Sequence, residues 1–194
     1  MLSSLAGLLG GQAPAIVCDS HRVWKTIEVG GAPNDFLLRQ LGWNRNIWVG
    51  DVAKEAVATL STLPDVRKIR LARCKVWRLG FATPPTEEEF LDRILEFGEL
   101  CPPEVGPRLR YDHRDTHDTE GLQVAMRPIV LPNGERVVFC LKYGMFKRYQ
   151  PITGLRTGLW TGHALVAAEL REAYPLGIGD DVVFVLREPS APVS

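Results

Sequence analysis

The sequence predicts an α+β protein: a mainly antiparallel, barrel-like sheet with a capping helix and a small N-terminal strand-helix-helix unit. Three observations carry that expectation. Most of the chain beyond residue 121 alternates apolar and polar residues like strands, around an Asn133-Gly134 hairpin signal. One stretch, residues 86 to 98, has every mark of an amphipathic helix. Helical and strand patterns follow one another in mixed order, which points to an α+β fold.

In chain order, "MLSSLAGLLGGQAPA" carries no Lys or Arg before Arg22 and is broken by glycines, so it does not match a secretory signal. Residues 1 to 20 are expected to be a flexible tail. "HRVWKTIEVGG" sets Val23, Lys25, Ile27 and Val29 against Trp24, Thr26 and Glu28 and stops at two glycines, which predicts a short strand. Two helices are expected next. Asn34 or Asp35 would cap the first, which carries Phe36, Leu37 and Leu41. Asp51 would cap the second, with Val52, Ala56, Leu60 and Leu63 on one face and Pro64 as its end. These elements form the unit assigned to residues 21 to 64.

The body is assigned to residues 65 to 189, followed by a tail at 190 to 194. Ile69, Leu71 and Arg73 alternate with Arg70 and Ala72, predicting a strand with one wet, basic face. In "TPPTEEEFLDRILEFG", Thr86 and Glu89 make a capping-box pair. Glu87 and Glu88 suit the positive end of the helix dipole, Phe90, Leu91, Ile94 and Leu95 form the buried stripe, and Gly98 is the stop. "PRLRYDH" is expected to be a strand. Residues 122 to 131 and 135 to 144 are expected to form a hairpin with a bulge or an edge at Pro128. "GHALVAAELREAY" has helical composition, and "GDDVVFVLREP" reads as a closing strand.

Composition limits the function classes. With 23 basic and 23 acidic residues the formal net charge is zero, so any polyanion would need a local patch. No apolar run approaches the ~18 residues of a membrane span, and no membrane partner is expected. Four separated cysteines, Cys18, Cys74, Cys101 and Cys140, hold no CxxC pair and read as reduced thiols of a cytoplasmic protein.

Several segments resemble, in order, those of a family of small uncharacterised bacterial proteins common in candidate-phylum genomes. They are "VWKTIEVG", "NDFLLRQLGWNRNIWVGDVAKEA", "VWRLGFATPPTEEEFLDRILEFGELCPPEVGPRLR", "LQVAMRPI" and "GDDVVFVLRE". The likeness spans residues 23 to 188, and the run Cys101, Pro102, Pro103, Glu104, Val105, Gly106, Pro107 is its distinctive motif. The resemblance implies no activity, cofactor or ligand. It does imply that the connection holding residues 111 to 121 is enlarged here, and that residues 144 to 178 are longer and more helical than the family pattern.

Three stretches could carry chemistry. His113 and His117 with Asp115, flanked by Asp112 and Asp118, could hold a metal for a hydrolase. The stretch has no helical stripe, and Arg114 stands where a zinc-protease helix needs glutamate, so a solvated loop is the preferred reading. In the family-motif loop, Glu104 could be a preorganised carboxylate and Cys101 a nucleophile. The loop follows a helix C-terminus, whose carbonyls disfavour a thiolate, so a buried Cys101 in a proline-fixed turn is preferred. The third is a pair of basic stretches. Arg67, Lys68, Arg70, Arg73, Lys75 and Arg78 surround Trp77, and Lys142, Lys147, Arg148 and Arg156 lie among Tyr143, Phe146 and Tyr149. If they converged on one groove they would suit single-stranded nucleic acid or another polyanion. His163, in a glycine-rich stretch without a phosphate-loop pattern, reads as a packing or capping residue. The expectation is a non-catalytic binding or interaction module without a cofactor, its partner a protein, a second copy or nucleic acid.

Overall fold

A computed structural model describes residues 22–44, 46–112, 121–149, 156–170 and 174–187. Strand β1, Lys25–Val29, buries Ile27 and Val29 and stops at Gly30 and Gly31, whose φ values of 87° and 68° suit glycine. Helix α1, Asn34–Trp43, and helix α2, Asp51–Ala58, lie where expected, but neither has a side-chain cap. Asn34 sits inside the first turn and donates to the Ala58 and Leu60 carbonyls at 3.1 and 2.6 Å, tying α1 to the end of α2. Asp51 pairs with Lys54 at 2.7 Å instead. Helix α2 ends well before Pro64, where the Thr59 hydroxyl donates to the Ala56 carbonyl. Between the helices lies an unforeseen strand, β2, Ile47–Val49.

The remaining strands are β3 (Arg67–Lys75), β4 (Leu122–Val124), β5 (Ile129–Val130), β6 (Arg136–Tyr149), β7 (Arg156–Glu169) and β8 (Asp181–Val185). They complete a curled, half-barrel sheet in the order β1-β3-β8-β4-β6-β7-β2, with β5 paired to β6. The sheet is mixed. β4 runs parallel to β8 and β2 parallel to β7, while the other pairings among the described residues are antiparallel. The N-terminal segment therefore supplies both ends of the sheet order. The hairpin turn forms at Asn133-Gly134, with Gly134 at φ 86° and the Asn133 side chain accepting from Glu135 N–H. The expected strand over 122 to 131 is split into β4 and β5 around Ala125–Pro128, where proline offers no donor.

Helix α3, Glu87–Phe97, carries the full capping box between Thr86 and Glu89. Its Phe90 packs on Tyr174 with ring centroids 4.2 Å apart, and Tyr174 donates to the Val124 and Met126 carbonyls. Two element assignments are overturned. "PRLRYD", the described part of the segment expected to be a strand, is not one: it lies in helix α4, Val105–Asp112. Pro107 falls in the first turn, where its missing N–H is not needed, and Val105 and Leu109 share the buried side at i, i+4 spacing. "GHALVAAE" is not helical: it belongs to β7, which pairs with β6 from Val137 to Tyr149, and that ladder overrides the alanine-rich composition. Register places Leu71, Val183, Val124, Leu141, Leu165 and Val49 on one face of the sheet. Helix α4 packs on that face, Gly106 lying so close to Phe139 that a Cβ would stand 2.6 Å from its ring. On the opposite face Gly98, at the end of α3, lies against Phe184.

Candidate anion-binding groove

The first cations of β3 open a groove of about 500 Å³ whose walls include Arg67, Lys68, Arg70, Glu99, Pro102 and Arg187. Its geometry follows from how the chain leaves α3 and β8. Glu99 and Val185 exchange both backbone hydrogen bonds, at 2.8 and 3.0 Å, so the segment after α3 is held beside the end of β8. Leu186 N–H donates to the Arg70 carbonyl at 2.8 Å, carrying β8 past its last formal residue and setting Arg187 near the start of β3. A Cβ on Gly98 would lie 2.3 Å from the Val185 carbonyl oxygen, so only glycine permits this approach.

Among the described residues, four basic residues and one acidic residue, Glu99, thus line the groove. Two are fixed by backbone carbonyls: Arg70 donates to the Arg187 carbonyl at 3.3 Å, and Arg187 donates to the Leu95 carbonyl. Each guanidinium keeps its charge and further N–H donors after such a bond. Arg67 and Lys68 are exposed, and the Lys68 ammonium is 3.8 Å from Glu28, a surface separation that neutralises it little. Among the described residues no aromatic ring lines the groove.

The other expected site residues are distributed elsewhere. Strand alternation turns Arg73 and Lys75 to the α4 face, where both pair with the buried Asp181, at 2.6 and 3.2 Å, and Arg73 lies 5.5 Å from the Trp24 ring. The single wet, basic face does not exist, because β3 lies between β1 and β8 and is largely buried from Ile69 to Lys75 on both faces. Trp77 and Arg78 are the exposed residues of a 3-10 turn, Val76–Leu79, and stack on each other at 5.2 Å. Lys142 is exposed on β6, separated from β3 by the two strands β8 and β4. Lys147 and Arg148 belong to β6 and Arg156 to β7, but their side chains lie outside the described residues.

His113, Asp115 and His117 also lie outside the described residues, as does Asp118. Asp112 ends α4, and its carbonyl accepts from the Lys25 ammonium at 2.8 Å. Among the described residues no group of three His, Cys, Asp or Glu side chains could hold a metal.

The motif loop fastens the fold. Cys101 is buried, its N–H donates to the Ala125 carbonyl at 2.7 Å, and burial raises its thiol pKa far above the usual range. Burial likewise pushes the Cys140 thiol up to about 11, so neither supplies a thiolate at neutral pH. Glu104 is only 1% exposed and accepts from Gly30 N–H at 2.8 Å and Leu63 N–H at 3.1 Å. Pro102 supplies the carbonyl that accepts from Val105 N–H, and Gly106 and Pro107 are buried in the first turn of α4.

One polar pair gave no signal in the sequence. Arg110, pushed down to about 10 by desolvation, meets the buried His163 of β7 at 3.2 Å, with the Tyr143 ring 4.9 Å from the imidazole. An arginine only donates, so Nδ1 of His163 is placed to accept from it. The chain matches no protein-family model, no curated protein and no solved structure.

Proposed function

We propose that this chain is a non-catalytic binding module and that the groove at the β3 and β8 ends receives a polyanion. The supporting observation is the set of four cations, Arg67, Lys68, Arg70 and Arg187, lining one groove with a single carboxylate among the described residues. A chain with zero formal net charge attracts no polyanion from a distance, so the local patch must supply the attraction. Two of the cations are anchored by backbone, which lowers the ordering entropy that binding costs. The absence of aromatic walls among the described residues favours recognition of the phosphate or sulfate charge over base stacking.

The test is fluorescence anisotropy with labelled oligothymidylate and, in competition, heparin, over a salt series. Two to four phosphate contacts give a slope of log K on log salt of about −1.4 to −2.8, taking ~0.7 per contact for a single strand. Binding that ignores salt, or no binding at low salt, refutes the proposal.

A further inference from the structure

We propose that the outer edge of β1, unpaired among the described residues, receives an extended peptide from a partner protein by strand addition. The direction of its backbone groups follows from the ladder. Leu186 N–H donates to the Arg70 carbonyl on the β8 side, and Trp24 N–H donates to the Leu71 carbonyl on the β1 side. Arg67, Ile69 and Leu71 therefore turn their backbone groups toward β1, and their register partners Val29, Ile27 and Lys25 turn theirs toward β3. Thr26 and Glu28 direct N–H and C=O outwards, and no group among the described residues pairs with them.

The next outward residue shows what such an edge accepts. Gly30 N–H is taken by the Glu104 carboxylate at 2.8 Å and its carbonyl by Arg108 at 3.3 Å, two side chains standing in for a neighbouring strand. Beyond that cap, Thr26 and Glu28 line a groove of about 490 Å³ whose walls include Lys68 and, from α4, Arg108, Tyr111 and Asp112. Its charged walls carry two carboxylates, Glu28 and Asp112, and two cations, Lys68 and Arg108, so net charge draws no polyanion here. The edge repeats a donor and an acceptor every second residue, about 6.8 Å apart, a pattern matched by an extended polypeptide. A second copy of this chain would offer the same backbone groups, and self-association distinguishes it from a partner's peptide.

Thr26→Pro is the selective probe. It deletes an outward donor without touching the β3 ladder, proline is tolerated on edge strands, and Lys25 before it is already extended. Peptides selected from a displayed dodecapeptide library on the full chain are then titrated against the wild type and Thr26→Pro. The expected result is about tenfold weaker binding to the variant, with the Thr26 and Glu28 amides of the wild type gaining exchange protection in the complex. Failure to select any peptide overturns the proposal, as does equal binding by the variant with no protection at these amides. Concentration-dependent self-association that Thr26→Pro abolishes also overturns it, by assigning the edge to a second copy. If the variant does not fold, the exchange measurement on the wild type decides alone.

Discussion

Replacing Glu104 removes the acceptor of two backbone donors that lie 74 and 41 residues away in sequence. In Glu104→Ala the N–H groups of Gly30 and Leu63 lose a charged partner in a site where Glu104 is 1% exposed. Hydrogen bonds to charged groups contribute about 1.5–3 kcal/mol each, and Leu63 N–H is only part-buried. The expected loss is therefore about 3–5 kcal/mol, a large share of a typical stability of ~5–15 kcal/mol. Glu104→Gln keeps the volume and one oxygen but turns an amide nitrogen toward one donor, and should lose about half as much. Urea unfolding reads both: the midpoint falls while the slope stays constant if the folded state alone is weakened. A loss below about 1 kcal/mol in Glu104→Ala would refute the claim that this carboxylate pins the ends of β1 and the α2–β3 connection.

Three further outcomes follow from the same geometry. Gly106→Ala drives a methyl into the Phe139 ring, an overpacking expected to cost about 1–3 kcal/mol and to lower the melting temperature without changing secondary structure. Asp181→Asn removes the carboxylate shared by Arg73 and Lys75. Both cations are partly exposed, so the expected cost is about 1–3 kcal/mol, less than for a fully buried pair, measured by denaturant melts. A thiol reagent at pH 8 should leave Cys101 unmodified in the folded protein and modify it on unfolding; rapid native labelling assigned to Cys101 by mass spectrometry would contradict its burial.

Local signals in the sequence located the elements whose ends are set by nearby residues. The Thr86 and Glu89 pair fixes the start of α3, and Asn133-Gly134 fixes the β5–β6 turn, because both devices act within four residues. Helix α4 and strand β7 were misread for the opposite reason. The alternation of Arg108, Leu109, Arg110 and Tyr111 fits a strand as well as one buried helix face. The alanines of β7 are strand only because β6 pairs with them along most of its length. The groove was half legible. Arg67, Lys68 and Arg70 stand out in the sequence, but Arg187 joins them from 117 residues beyond Arg70 through the pairing of β8 with β3. Strand parity, invisible in a list of charges, separates Lys68 and Arg70 from Arg73 and Lys75, which turn to the other face and pair with Asp181.

The most direct test of the groove is the affinity for labelled oligothymidylate of Arg67→Glu/Lys68→Glu against Arg39→Glu/Lys54→Glu. The two double variants change net charge equally, and the second pair lies on exposed positions of α1 and α2. The account predicts that the first loses binding and reduces the salt slope by about 1.4, one ~0.7 step for each contact removed, while the second binds as the wild type does. Equal losses in the two variants would show that charge anywhere on the surface suffices, and would contradict a site at the β3 and β8 ends.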